Sequence, residues 1–243
     1  MKFSMLPLLF LVQLVAIYIA TKTTQRSGTI SAAQSRSVTV VLAMLILWGA
    51  VSSLLCINGW YHSDTFLKSL PAFWISLPPV LIVMLPWMLS ASFREATNSI
   101  IDRVPLHYVM AFEGLRVLAI GGILKAYKGE FSALIANWMG VPDFLLGAAA
   151  LVAAWLIYRG VWGKRSAILI NLFQFLIIVP IGIVVINLGL PGIMHMVDET
   201  PSAIAIFDFP MALAPTLVVP IFIIINLLVA VRLLTNHKSS EAS

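Results

Sequence analysis

Residues 166–188 read SAILINLFQFLIIVPIGIVVINL, a run without a charged side chain. A helix needs roughly 20 mostly apolar residues to cross about 30 Å of hydrocarbon, so this run is long enough to span a membrane. Together with six similar runs it predicts an all-α fold, a polytopic membrane helix bundle of seven transmembrane helices in a single domain, residues 1–243. The predicted spans are about 3–20, 38–57, 66–90, 105–124, 142–159, 166–188 and 209–234.

The composition of the whole chain excludes a water-soluble protein. Of its 243 residues, 60% are hydrophobic and 10% are charged, whereas a soluble domain carries about 25% charged residues. The net charge of +5 does not indicate nucleic-acid binding, because membrane proteins carry basic loops for topological reasons. One cysteine, Cys56, and four scattered histidines give no metal-ligand spacing, so neither a metal nor another cofactor is predicted.

The loops carry their lysines and arginines unevenly, and this predicts an orientation. Cytoplasmic loops hold the excess of these residues, which places the N-terminus outside and the C-terminus in the cytoplasm. The predicted cytoplasmic side carries Lys22, Arg26, Arg36, Arg94, Arg103, Arg159, Lys164, Arg165, Arg232 and Lys238. The predicted outer side carries Lys2, Lys68, Lys125 and Lys128. Residues 3–20 are predicted to be a retained helix, because the run is long for a signal peptide and no A-x-A site follows it.

Polar residues enter the membrane in one layer. Glu113 and Arg116 of the fourth predicted span are three residues apart, hence on one helical face, and an ion pair between them is expected. A charged group at mid-bilayer costs roughly 2.5–3.5 kcal/mol, so both must face protein or water. A rise of about 1.5 Å per residue puts four amides at a similar depth in the predicted cytoplasmic half. They belong to Gln13, Asn171, Gln174 and Asn226.

Two interpretations of this layer stay open. Amides that hydrogen-bond across helices and a buried ion pair can simply brace a bundle, or the same groups can line an inward-facing cavity that holds an ion, a proton or a polar headgroup. Interior prolines leave a similar choice between a packed kink and a helix that lines a cavity, because they free carbonyls that protein or water must bind. These are Pro71, Pro78, Pro79, Pro86, Pro180, Pro210, Pro215 and Pro220.

The predicted outer side has a separate candidate, Asp143, at the start of the fifth span. Its carboxylate is suited to cap that helix and to complement the positive end of the helix dipole. A cation contact in an outer vestibule is the alternative. The preceding segment, Lys125–Met139, is predicted to lie as a short amphipathic helix on the outer interface.

Three motifs in the second half carry a resemblance: Leu115-Arg116-Val117-Leu118, residues 142–147 (PDFLLG), and residues 210–216 (PMALAPT) followed by Val219-Pro220. On these motifs, residues 107–233 resemble a group of uncharacterised bacterial polytopic membrane proteins, and the first hundred residues lie outside the resemblance. It implies a bacterial inner-membrane location and draws attention to Arg116 and Asp143. It implies no activity.

Three functions are compatible with the sequence. The first is a small-solute, ion or proton carrier or channel-like protein, with Glu113 as its titratable group. The second is a membrane-embedded enzyme on a lipid or isoprenoid substrate, with Glu113 as a general acid, and the third is a non-catalytic assembly subunit. The expected partners are the lipid bilayer and a small-molecule or lipid ligand, with a homo-oligomer as an open alternative. A retinal protein is excluded because residues 209–234 contain no lysine.

Overall fold

The computed structural model describes residues 4–69 and 74–241, with side chains as far as residue 235. These residues form helices and no strands. The structure therefore does not describe Lys2, Pro71 or the side chain of Lys238, three residues used in the predictions above. In chain order the helices of at least eight residues are α1 (Leu6–Arg26), α2 (Ala32–Ile57), α3 (Leu77–Leu89), α4 (Ala91–Arg103), α5 (Leu106–Glu113), α6 (Ile120–Tyr127), α7 (Ala133–Tyr158), α8 (Lys164–Gly189) and α9 (Val219–Glu241). Shorter helical segments are Trp60–His62, Asp64–Leu67 and Ala203–Phe207.

Five helices in the described part of the chain are long and apolar enough to cross a membrane. They are α1, α2, α7, α8 and α9, the last together with a π-helical turn at Ala214–Val218 that precedes it. These helices are those of a multi-pass membrane protein. A bent pair of helices, α3 and α4, raises the number of candidate spans to six. The predicted number of seven stays a prediction.

The third predicted span, 66–90, is wrong as a single helix, because a short helix ends at Leu67 and α3 starts only at Leu77. Helix α3 starts with Pro78 and Pro79 in its first turn, where the missing N–H groups cost nothing. It ends at Ser90, whose hydroxyl accepts a hydrogen bond from the Phe93 N–H at 3.3 Å and so caps α4. The axes of α3 and α4 differ by 105°. With about 1.5 Å per residue, α3 alone is about 20 Å long, which is shorter than the hydrocarbon core.

The fourth predicted span is an interrupted helix. Helices α5 and α6 are joined without a gap by a 3₁₀ segment, Gly114–Ala119. Eight α-helical residues on each side and six 3₁₀ residues between them give a length of about 36 Å. The segment is therefore long enough for the hydrocarbon core, and its interruption coincides with Arg116.

The fifth span starts earlier than predicted. Ser132 Oγ accepts a hydrogen bond from the Ile135 N–H at 3.0 Å, and a Glu199 carboxylate oxygen accepts from the Leu134 N–H at 2.9 Å. These two caps start α7 at Ala133, while α6 ends at Tyr127. The predicted interfacial helix over Lys125–Met139 is therefore wrong, because its residues belong to the end of α6, a turn and the first turns of α7.

The π-helical turn before α9 shows how the bundle accommodates an interior proline. Pro220 has no N–H group, so carbonyls one turn earlier lose their helical partner. Side chains from three other parts of the bundle donate to buried carbonyls of this turn, as a membrane interior requires. They are Ser76 Oγ to Pro215 O (2.8 Å), Trp48 Nε1 to Thr216 O (3.0 Å) and Gln13 Nε2 to Val218 O (3.1 Å).

Candidate functional site

A polar network lies inside the bundle, where α5, the 3₁₀ segment, α7, α8 and α9 meet. Of its side chains, all but one are at most 1% exposed, and the carboxylate of Asp143 is 17% exposed. We call these six residues the polar network: Glu113, Arg116, Asp143, Asn171, Gln174 and Asn226.

Arg116 is the centre of the network, because all three of its nitrogens have a partner. Nε donates to Glu113 Oε2 at 3.2 Å, and Nη1 donates to Asp143 Oδ1 at 2.5 Å. Nη2 donates to the amide oxygen of Asn226 at 3.1 Å. The guanidinium carbon lies 4.5 Å from the centre of the Phe222 ring, a cation–π distance. Its position is thus fixed from four directions.

Asn226 joins the charged residues to the amides of α8. Its amide is assigned in the orientation that satisfies both of its polar atoms. In that orientation the nitrogen lies 2.7 Å from Glu113 Oε2, 3.1 Å from Asn171 Oδ1 and 3.3 Å from Gln174 Oε1. A single amide on α9 therefore contacts both charged and neutral members of the network.

The two amides of α8 are held by backbone carbonyls. Asn171 Nδ2 donates to Ala167 O at 2.8 Å, and Gln174 Nε2 donates to Leu146 O of α7 at 3.2 Å. Because the nitrogens are occupied in this way, the amide oxygens point toward Asn226. The network is therefore anchored to two transmembrane helices by main-chain hydrogen bonds.

The local backbone explains how the charges come together. In a 3₁₀ helix residues i and i+3 eclipse, which places Arg116 directly beside Glu113. Helix α7 approaches this segment closely at Gly147, where an added Cβ would lie 2.6 Å from the Val117 backbone nitrogen. Asp143 precedes Gly147 by one turn of the same helix. The glycine thus lets α7 bring Asp143 to Arg116.

The prediction that Asp143 caps a helix is wrong. Asp143 lies within α7 rather than at its start, and no side-chain cap is present at Gly140. Its carboxylate binds Arg116 instead, 27 positions away in sequence. The structure therefore brings the predicted outer candidate and the predicted ion pair together in one site.

Gln13 is the one predicted residue that the structure does not bring into the network. It is fully buried, and its nitrogen donates to the Val218 carbonyl of the π-helical turn. Its Oε1 atom has no hydrogen-bond partner among the described residues. Gln13 therefore stabilises the turn before α9 and does not contact the charged groups.

A cavity of about 460 Å³ reaches the network from one end of the bundle. Most of its wall is apolar, but the wall contains five charged residues, and we call it the polar cavity for them. Arg116 and Asp143 are the two network residues in its wall, and its other charged residues are Lys125, Lys128 and Glu130. It lies beside the start of α1, the end of α6 and the start of α7, which is the predicted outer side. Lys125 and Glu130 were not among the predicted site residues, because they read as ordinary loop charges.

An apolar cleft of about 1000 Å³ lies at the other end of the bundle. None of the six network residues lines it. An apolar layer separates it from the polar cavity, with the Phe112 and Phe222 rings 5.5 Å apart in an edge-to-face arrangement. The layer consists of Leu9, Phe112, Leu115, Val218 and Phe222.

The charges of the network do not cancel. Two carboxylates, Glu113 and Asp143, share one guanidinium, so the fully ionised network carries one net negative charge. A buried charge without compensation is costly, and a proton or a bound cation is the direct compensation. In the described part of the chain no three His, Cys, Asp or Glu residues are grouped to hold a metal ion.

Comparison of the chain with protein-family models, with curated proteins and with solved structures finds no match.

Proposed function

We propose that the chain is a seven-span protein of a bacterial inner membrane with its N-terminus outside and its C-terminus in the cytoplasm. The five long helices, the bent pair α3–α4 and the interrupted segment of residues 106–127 supply seven crossings. The uneven distribution of lysine and arginine supports the orientation. In this orientation the polar cavity opens outward, and the α4 end of the bent pair faces the cytoplasm.

We propose further that the protein is a carrier or channel-like protein for a proton, a small ion or a small solute, and that the polar network is its binding site. One observation carries this proposal: two carboxylates share one guanidinium at the inner end of a cavity. The network has one negative charge to offer to a proton or a cation, and the wall of the cavity also carries Lys125, Lys128 and Glu130. Arg116 holds the two carboxylates in place, and the amides complete the hydrogen bonds around them.

A purely structural brace is supported less well by this arrangement. A brace needs as many positive as negative charges, because each unpaired buried charge destabilises the fold. Glu113 and Arg116 alone would satisfy that requirement, and Asp143 adds a further carboxylate at the cavity wall. This excess of charge favours a site over a brace.

An enzyme that acts on a lipid or isoprenoid is also supported less well. Such an enzyme needs its reactive group beside the apolar part of its substrate. Glu113, the general acid of that alternative, lines neither the apolar cleft nor the polar cavity, and Phe112 and Leu115 stand between the cleft and the network. The carrier therefore fits the positions of the charged groups better.

Ion flux into proteoliposomes tests the proposal. We expect wild-type protein to accelerate the collapse of an imposed pH gradient, or of a Na⁺ or K⁺ gradient, with the membrane potential clamped. The variants Glu113→Gln and Asp143→Asn should abolish this flux while the protein stays folded. Glu95→Gln is the matched control, because Glu95 lies on the exposed face of α4.

Flux that is equal in wild type and in both network variants would remove these carboxylates from the mechanism. If the flux of H⁺, Na⁺ and K⁺ into proteoliposomes is no faster than into empty liposomes, the protein is not an ion carrier.

A further inference from the structure

The apolar cleft has the depth of one membrane leaflet. Its wall on α9 extends from Ile221 to Val229, and its wall on α1 extends from Ala16 to Thr24. At a rise of about 1.5 Å per residue both walls are about 12 Å deep, and half of the hydrocarbon core measures about 15 Å. The cleft therefore ends near the middle of the membrane, at the apolar layer.

The cleft opens sideways toward lipid. Ile19 on α1 and Tyr108 on α5 both line it, and they are 55% and 62% exposed. In the proposed seven-span arrangement both helices cross the membrane, and the mouth between them faces the hydrocarbon. Water does not fill a cavity of this kind, since a cavity with apolar walls stays dry. Hydrocarbon chains are the material that is available at the mouth.

One end of the cleft lies beneath α4. Helix α4 covers this end with Phe93, Thr97, Ile100 and Val104, which recur at helical spacing on one face. The Thr97 hydroxyl donates to its own helix at Phe93 O, at 2.9 Å, and so offers no further donor.

Arg103 is the charged residue at this end of the cleft. It is exposed, it lines the cleft, and it forms no hydrogen bond or ion pair with any residue that the structure describes. The neighbouring Asp102 is already engaged by Arg232, whose Nε donates to its Oδ1 at 3.0 Å. A guanidinium beside an apolar cleft at the membrane surface matches a lipid phosphate, to which arginine binds as a fork.

We propose that the apolar cleft binds one anionic phospholipid, with its acyl chains in the cleft and its phosphate against Arg103. The chains replace the apolar contacts that the open cleft lacks, and the guanidinium selects the charge of the headgroup. This site lies on the opposite side of the apolar layer from the polar network, so it does not depend on the proposed carrier function.

Native mass spectrometry of the detergent-purified full chain tests the proposal. The probes are phosphatidylglycerol and phosphatidylcholine with identical oleoyl chains. We expect one phosphatidylglycerol to stay bound at collision energies that remove other lipids, and to be retained in preference to phosphatidylcholine. No retained lipid, or equal retention of the two lipids by wild type, would overturn the proposal.

Two pairs of variants separate the chain site from the headgroup site. Ala20→Phe fills the cleft and should remove the retained lipid, whereas Ala149→Phe on the exposed face of α7 should not. Arg103→Gln should lower the preference for phosphatidylglycerol about fivefold, which corresponds to about one basic residue at a membrane surface. Arg94→Gln is the control, because Arg94 lies on the same helix outside the cleft and donates to Met88 O.

Retention of the lipid by a folded Ala20→Phe variant would overturn the chain site. An equal effect of Arg103→Gln and Arg94→Gln would overturn the headgroup site, because it would reflect net charge alone.

Discussion

The polar cavity and the apolar cleft are both lined by α1, the 3₁₀ segment and α9, but they differ in the number of charged residues in their walls. Leu115 lines the cleft and the next residue, Arg116, lines the cavity; on α9 Ile221 and Phe222 divide in the same way. The cavity has five charged residues in its wall, whereas the wall of the cleft has only Arg103, at the end away from the apolar layer. One layer of apolar side chains therefore keeps the charged site away from the lipid-facing half.

The two regions also differ in backbone regularity. Four of the five 3₁₀ or π-helical segments among the described residues contribute to the polar cavity, and Trp60–His62 is the exception. The four contribute through Ala119, Met139, Ile206 and Ala214. The cleft is lined mainly by regular α-helix. Irregular turns of this kind are frequent at functional sites. The distorted backbone therefore lies mainly in the half of the bundle that contains the polar cavity.

Removal of the central cation should have the largest effect. Arg116→Gln leaves two buried carboxylates without their shared partner, which should lower the free energy of unfolding by about 3–5 kcal/mol. Thermal unfolding in detergent measures this loss. Arg159→Gln, at an exposed arginine, should change stability little. A loss below about 1 kcal/mol for Arg116→Gln would mean that water already solvates the network.

Opening of the apolar layer should have the second largest effect. Phe222→Ala removes a ring that is 1% exposed and contacts both Phe112 and Arg116, and should cost about 3 kcal/mol. It should also join the cavity to the cleft, which raises proton leak in proteoliposomes. Phe173→Ala, at a ring that is 60% exposed, is the control for both measurements. An unchanged leak in a folded Phe222→Ala variant would show that other residues form the barrier.

Disruption of the close contact between α7 and the 3₁₀ segment should lower the free energy of unfolding by a smaller amount. The Cβ that Gly147→Ala adds meets backbone atoms of Arg116 and Val117, which cannot move as a side chain does. We expect a loss of about 1–3 kcal/mol, measured by the same unfolding assay. Gly121→Ala should be tolerated, because no atom lies within 4 Å of its added Cβ. Equal stabilities for the two variants would contradict the tight contact between α7 and the 3₁₀ segment.

The smallest effect should come from one amide. Asn171 and Asn187 lie on α8 and both donate to the carbonyl four residues earlier, at 2.8 Å and 2.7 Å, but only Asn171 belongs to the network. Asn171→Leu should therefore cost about 1 kcal/mol more than Asn187→Leu. A difference in denaturant midpoint measures it. Equal losses would mean that the contact with Asn226 contributes nothing to stability.

The hydropathy pattern is sufficient to predict the long helices. The rise per residue is sufficient to predict that the polar side chains share one depth in the membrane; these are Glu113, Arg116, Asn171 and Asn226. The partnership of Asp143 with Arg116 could not be predicted, because it depends on where α7 starts. A start at Ala133 puts Asp143 about 15 Å inside the helix, whereas a start at residue 142 leaves it at the surface. The caps that decide this are Ser132 and Glu199, and Glu199 is distant in sequence.

The bend between α3 and α4 and the 3₁₀ segment were also beyond the sequence pattern. Hydropathy assigns the polar residues after position 90 to a loop, whereas the Ser90 hydroxyl caps a helix there, α4. The 3₁₀ segment depends on the contact of Gly147 with the backbone of a different helix. The bend is marked by a local cap and the 3₁₀ segment by a tertiary contact, and a hydropathy profile detects neither.

The stability of Glu113→Gln, compared with that of Arg116→Gln and Asp143→Asn, tests whether the network carries one negative charge in excess. If the network carries one negative charge in excess, glutamine at position 113 leaves a neutral Arg116–Asp143 pair. The variant should then be as stable as the wild type or more stable in detergent, while Arg116→Gln loses about 3–5 kcal/mol. Losses of that size in all three variants would contradict the claim, because they would identify the network as a brace in which every charge is compensated.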